Sequence, residues 1–322
     1  MSPMRSHFEK IIFLVVMLGV AVLGAGRSGL LKAQSGADSG SALISGSGPP
    51  VVVPVGLPAA VTPVSPPEVF RRVSGGEPRD LALSAALIAD LGTGQVYFAS
   101  SSDKRWPTAS ITKLLTASFA LDHMASGTEI ALTSQDFLAA GGDVANGLRV
   151  EDRYAVRDLL RAMLAVSSNE AAEALANNFG RENFMAGLNA RAAEWGMAQS
   201  HFSDPTGLSA ANQSTAEDLL ALARHIYRDY PELLAVTRTP KVSVRELNSG
   251  ELKFLQNINT FAGQADFVGG KTGYTDDANG NLLSIFKYQG RTIVVVVLGT
   301  EDRFGQTRNL YDWFRQSFTR AV

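Results

Sequence analysis

The 322-residue chain contains no cysteine. That excludes thiolate nucleophiles, disulfides, iron–sulfur clusters, Cys-ligated zinc and a lipid anchor on an N-terminal Cys. Histidine is nearly as scarce: His7, His123, His201 and His225 are scattered, and no His-rich metal site is expected. Charge of one sign is also lacking, since 29 Lys+Arg stand against 31 Asp+Glu for a formal −2, so nothing marks a nucleic-acid surface. No Gly-x-Ser-x-Gly elbow occurs, which disfavours an α/β-hydrolase fold. What is present is 45% hydrophobic and only 19% charged, the balance of a globular chain with a real core. A domain that needs no metal, thiol or cofactor is expected.

One long apolar run stands at the N-terminus. Residues 11–26, IIFLVVMLGVAVLGAG, carry no charge; Arg5 and Lys10 precede them and Arg27 follows. As a helix this run reaches about 24 Å, and extension through Leu30 and Leu31 brings it to the roughly 30 Å of a hydrocarbon core, with Arg27 snorkelling. Residues 1–10 therefore read as a cytoplasmic n-region and 11–31 as a transmembrane anchor. A cleaved signal peptide is the rival reading, with Gly24-Ala25-Gly26 the nearest approach to a cleavage site. Both readings export the remainder. Residues 32–79 read as a Gly/Ser/Pro-rich linker: eight of the thirteen prolines lie between residues 34 and 79, where they remove ladder donors and fix φ.

The folded unit is expected over 80–322. LALSAALIAD and QVYFAS flank Gly92-Thr93-Gly94 as a hairpin. From Pro107 to about Tyr230 the apolar spacing turns helical, as in Ile111, Leu114, Leu115 and Phe119, and again in Leu159, Leu160, Met163 and Leu164. Ser214-Thr215-Ala216-Glu217 reads as a capping box. FVGGKTGY, NLLSIFKY and TIVVVVLG then return to strand, and an amphipathic helix with Leu310, Trp313, Phe314 and Phe318 closes the chain. The order predicts an α+β fold: one antiparallel sheet of about five strands, built from both chain ends and flanked by helices. TIVVVVLG is too continuously apolar to leave one face in water.

Three short motifs carry chemistry. Ser110 and Lys113 are three apart at a helix start, so they share one face. A serine hydroxyl becomes a nucleophile when a base takes its proton, and a lysine serves if its pKa falls. The helix N-terminus and a second nearby cation are expected to lower it. Ser167-Ser168-Asn169 forms a polar turn between two helical stretches. Gly269-Gly270-Lys271-Thr272-Gly273-Tyr274 is a strand whose small residues admit a close peptide backbone. Each motif alone also suits a helix cap or a solvated face.

In this order the motifs resemble the signature of penicillin-recognising serine enzymes. ALIADLGTGQVYFAS, TASITKLLTA, YAVRDLLRAMLAVSSNEAAEALA, HFSDPTGL and GGKTGYTDDANGNLL extend the likeness over about residues 82–318. They resemble the low-molecular-mass D-alanyl-D-alanine carboxypeptidases, peptidase family S11. The resemblance implies a β-lactamase/DD-peptidase-like (transpeptidase-like) fold and a serine-type carboxypeptidase. Its substrate would be peptidoglycan stem peptides ending in D-Ala-D-Ala, with β-lactams as inhibitors, and it would work outside a bacterial cell membrane. It implies Ser110 as the acylated nucleophile, Lys113 as its base and Ser167 as a proton relay. Asn169 would hold the substrate amide and position Lys113, Lys271 would supply the second cation, and Thr272 would bind the terminal carboxylate. Backbone N–H groups of Ser110 and Tyr274 would form the oxyanion hole beside Gly273. A DD-endopeptidase, a β-lactamase or a non-catalytic peptidoglycan-binding module are the alternatives; the last has no need of both Ser110 and Lys113. Ser168 stands where many relatives have Gly and is expected to narrow the cleft. The chain stops at Val322 where longer relatives continue, and the N-terminal segment is expected to replace their C-terminal anchor.

Overall fold

The computed structural model describes residues 70–142 and 147–320. The anchor or signal segment and most of the linker fall outside the described residues, among which no helix is long and apolar enough to cross a membrane. The described chain opens with β1 (Phe70–Arg72), β2 (Ala85–Asp90) and β3 (Val96–Ser100), and β4 (Trp106–Pro107) leads through a 3₁₀ turn, Ala109–Ile111, into α1 (Thr112–His123). Next come β5 (Glu129–Ala131), α2 (Ser134–Ala139), β6 (Arg153–Ala155), α3 (Val156–Ala165), α4 (Asn169–Phe179) and α5 (Arg181–Glu194). Then follow β7 (Gln213–Ser214), α6 (Ala216–Asp229), α7 (Pro231–Arg238) and the hairpin β8 (Lys241–Arg245) and β9 (Leu252–Gln256). The last elements are β10 (Phe267–Thr275), β11 (Asn279–Tyr288), β12 (Arg291–Thr300), α8 (Arg303–Ser317) and β13 (Phe318–Arg320).

The central sheet is antiparallel with strand order β10-β11-β12-β2-β3, the five strands expected, joined from both chain ends. Period-two alternation divides β12 between two cores. Val294, Val296 and Leu298 pack with Leu87, Ala89 and the helices bearing Leu114, Leu159 and Leu222. Ile293, Val295 and Val297 pack with Ala86, Ile88 and the α8 residues Leu310, Tyr311 and Phe314. Each fully buried valine contributes on the order of 1.5–3 kcal/mol, which is why the run tolerates no polar face.

Several boundaries differ from expectation. Residues 70–72, placed in the linker, form a strand against β13, with Phe70↔Arg320 and Arg72↔Phe318 in register. Phe70 is buried among Tyr97, Tyr288 and Phe314, so the folded unit starts by Phe70 rather than at 80. Phe318 lies in β13, beyond the last helix. Two short ribbons, β4–β7 and β5–β6, interrupt the stretch read as helical. The predicted capping box resolves into Thr215, whose hydroxyl accepts the Asp218 N–H at 3.0 Å, so the helix begins at Ala216.

Candidate active site

The 3₁₀ turn that carries Ser110 is held from three sides. Thr108 N–H donates to Asn212 O (2.8 Å), and the buried Asn281 donates from Nδ2 to Pro107 O (2.8 Å) while its Oδ1 accepts Gly299 N–H (2.9 Å). Ala109 takes a left-handed φ of +46°. Its carbonyl lies 1.9 Å from where a Cβ on Gly207 would stand, and Gly207 itself has φ +86°, so only glycine fits there. Ser110 emerges half-buried, one turn before Lys113 on α1.

Lys113 is fully buried and its Nζ makes three hydrogen bonds: to Ser110 Oγ (2.8 Å), Asn169 Oδ1 (2.7 Å) and Thr206 O (2.8 Å). An ammonium has three donors, so its capacity is filled. Loss of one proton leaves a lone pair, and Ser110 supplies a hydroxyl at bonding distance to it. The Thr206 carbonyl is aimed by the turn Ser203–Gly207. There Asp204 Oδ1 accepts Thr206 N–H (2.8 Å), Thr206 Oγ1–H (2.7 Å) and Gly207 N–H (2.6 Å), and Asn212 Oδ1 accepts Ser203 N–H (2.9 Å).

The second motif turns between α3 and α4. Ser167 adopts φ +61° and Asn169 is the first residue of α4, its Nδ2 donating to Ala140 O at 3.3 Å. Ser168, expected to narrow the cleft, does not face it. Its side chain is fully buried, accepts Ala171 N–H (3.1 Å) and donates to Glu170 Oε2 (2.7 Å).

The third motif lies on β10, the sheet edge beside the 3₁₀ turn. Lys271, also buried, donates to Ser167 Oγ and to Thr272 O, both at 2.9 Å. A Cβ on Gly273 would stand 3.0 Å from Thr108 O and Ala109 Cβ and 3.2 Å from Ser110 N, so the strand backbone abuts the serine turn. Thr272 is buried, whereas Tyr274 is exposed, its hydroxyl 3.4 Å from Asp276 Oδ1. Thr272 and Tyr274 pair with Leu282 and Gly280, and Arg303 at the start of α8 packs against Gly280.

Burial drives Lys113 down to about 7, against the pull of Asp204 and then Glu170. Desolvation is the leading cause, and the carboxylates oppose it. Burial, then Lys113, then Arg303 push the Lys271 ammonium well below the usual lysine range. Arg303 is itself lowered by burial, and its Nε is buried with no hydrogen-bond partner among the described residues. Asp204, the Thr206 carbonyl and Arg303 were not nominated from sequence. HFSDPTGL marked the first two only as a segment, and Arg303 comes to the site through the β11–α8 packing.

The D-alanyl-D-alanine carboxypeptidase family, peptidase S11, matches residues 72–302. The chain belongs to this family. It is 30% identical over 251 residues to a D-alanyl-D-alanine endopeptidase of Pseudomonas aeruginosa, covering 76% of this chain and 81% of the relative. It is also 30% identical over 239 residues to D-alanyl-D-alanine carboxypeptidase DacB2 of Mycobacterium tuberculosis, covering 70% and 80%. The structure of penicillin-binding protein D2 from Listeria monocytogenes, in its ampicillin-bound form, matches with a TM-score of 0.64 at 27% identity, over 72% of this chain and 97% of that one. This S11 protein is therefore a serine-type D-Ala-D-Ala peptidase with the transpeptidase-like fold. The relatives divide between carboxypeptidase and endopeptidase names.

Proposed function

We propose that the protein is a D-Ala-D-Ala carboxypeptidase that removes the terminal D-alanine of peptidoglycan stem peptides through an acyl-enzyme on Ser110, and that β-lactams acylate the same serine. The observation that carries this reading is the buried, pKa-depressed Lys113 at 2.8 Å from Ser110 Oγ. In the neutral form its amine takes the Ser110 proton as Oγ attacks the carbonyl carbon of the penultimate residue. The oxyanion forms against the N–H groups of Ser110 and Tyr274, a gap kept short by Gly273. As the C–N bond breaks, Ser167, hydrogen-bonded to Lys271, passes its hydroxyl proton to the departing D-alanine nitrogen and is re-protonated by the proton Lys113 took from Ser110. Water, deprotonated by the neutral Lys113, then hydrolyses the Ser110 ester and frees the shortened peptide. Asn169 orients Lys113 and offers its amide to the substrate. β10, which ends the sheet among the described residues, receives the peptide as an added strand. Lys271, Thr272 and the under-bonded Arg303 attract the terminal carboxylate. Peptidoglycan lies outside the cytoplasmic membrane, so this reading also requires export, for which residues 11–31 supply the segment.

Mass spectrometry after incubation with a penicillin should show one adduct, mapped to Ser110 and absent in Ser110→Ala. An adduct on another serine would refute the assignment. The endopeptidase reading, favoured by the name of the Pseudomonas relative, separates by substrate. A charge-assisted bond to the terminal carboxylate contributes about 1.5–3 kcal/mol, roughly ten- to a hundredfold in rate over an amidated peptide. Equal hydrolysis of a D-Ala-D-Ala peptide, its C-terminal amide and a cross-linked dimer would move the protein to endopeptidase.

A further inference from the structure

Glu170 is a buried carboxylate, 3% exposed, in the first turn of α4 directly after Asn169. Among the described residues its hydrogen-bond donor is the Ser168 hydroxyl, at 2.7 Å, and no Lys, Arg or His lies within ion-pair distance of it. The charged groups on the elements packed against α4 are otherwise engaged or remote. Asp136 on α2 bonds Thr133 and Asn177, Asp158 on α3 pairs with Arg157 and Arg161, and Asp122 on α1 pairs with Arg191 of α5. Glu173 takes Arg181, His123 bonds Phe119 O, and Glu129, Glu182 and Glu194 are exposed. The cation left facing this end of α4 is Lys113, bonded to the neighbouring Asn169; Asp204 also acts on Lys113, and Lys113 and Arg303 act on Lys271.

We propose that Ser168 and Glu170 act as a positioning couple: the Ser168 hydroxyl fixes the Glu170 carboxylate at the N-terminus of α4, where its charge bears on Lys113 and sets the pH at which acylation begins. The 2.7 Å bond from the Ser168 hydroxyl removes the carboxylate's freedom to turn away. A buried negative charge near Lys113 holds the proton on that amine longer, in keeping with the upward pull of Glu170 on it. Glycine at 168 would cap α4 less well and leave Glu170 without its donor. This chain therefore carries a tuning element in the middle of its second motif, and neither residue touches substrate. The inference rests on Lys113 being the base for Ser110.

The test is the pH dependence of penicillin acylation measured on the full chain, with thermal unfolding of each variant recorded alongside. Glu170→Gln should move the rising limb to lower pH by about one unit while keeping its plateau. Ser168→Gly should move it in the same direction by a smaller amount, and Ser168→Thr, which keeps a hydroxyl, should restore the wild-type limb. The Ser168 pair decides the matter if the Glu170 variant does not fold. A limb that stays in place in both Glu170→Gln and Ser168→Gly, or a rate that falls equally at every pH, overturns the proposal. Absence of any acylation in the wild-type chain would instead remove the base reading beneath it.

Discussion

Lys113 and Lys271 are both buried within hydrogen-bonding distance of a serine, yet different neighbours act on them. Burial lowers both; two carboxylates, Asp204 and Glu170, oppose it at Lys113, which stands at about 7, while the cations Lys113 and Arg303 add to it at Lys271. The base is therefore divided between its two forms near neutrality, the condition under which a general base works best. A lysine whose folded pKa is depressed is neutral above that value. The acylation rate should thus rise with pH through about 7 and level off above it, far below the free lysine range of about 10.4. Fold stability from this group runs the same way: between about 7 and the free value the unfolded chain holds a proton that the site has lost, so stability increases with pH. Stopped-flow acylation under single-turnover conditions checks the rate, and a limb near 10 would show that the amine is not desolvated during reaction. Ser110, Lys113, Ser167, Asn169, Lys271 and Thr272 were legible because their chemistry resides in side chains at short, fixed spacing. The Thr206 carbonyl was not, since any residue offers one, and only the Asp204 turn aims it.

At the level of elements the site is the seam between a helix start and a strand edge. The seam closes because β10 has no side chain at Gly273, opposite Thr108 O and Ser110 N. Gly273→Ala keeps an extended backbone but pushes strand and turn apart by a few tenths of an ångström. That displacement falls where the two oxyanion donors are expected to meet, and misplacing one such donor costs on the order of 10²-fold in rate. Acylation by penicillin should drop by roughly that factor while the melting temperature changes by only a few degrees; unchanged acylation kinetics would show that the two N–H groups do not act together. The five central strands were readable from apolar runs and turn residues. The ribbons β4–β7 and β5–β6 were not, since strands of two or three residues leave no periodicity and their paired residues stand 106–108 and 22–26 positions apart in the chain. The hairpin β8–β9 escaped as well: Leu252 and Phe254 are exposed, and its one-sided burial offers little contrast with a loop.

Across the whole molecule, both ends of the described chain meet on the face of the sheet packed by α8. Phe70 fits among Tyr97, Tyr288, Phe314 and Phe318, while Val73 N–H donates to Ser317 O (2.7 Å) and Trp313 Nε1–H to Gly76 O (2.8 Å). Composition disguised this. Prolines on both sides of Phe70 make the region read as tether, and the pairing partner lies some 250 residues away. A fragment of residues 80–322 forfeits the β1–β13 ladder and the burial of one phenylalanine, about 3 kcal/mol or more, whereas one of residues 70–322 keeps both. For a domain of this size that corresponds to a melting temperature lower by about 6–12 °C. The lost contacts lie around Tyr288, at the opposite end of β11 from Gly280, so Ser110 should still be acylated at wild-type rate at 25 °C in both fragments. Thermal unfolding of the two fragments side by side, with penicillin labelling at 25 °C, tests the claim. Equal melting temperatures would mean that residues 70–79 add nothing to the fold, and labelling lost only in the shorter fragment would mean that this end of the sheet does support the site.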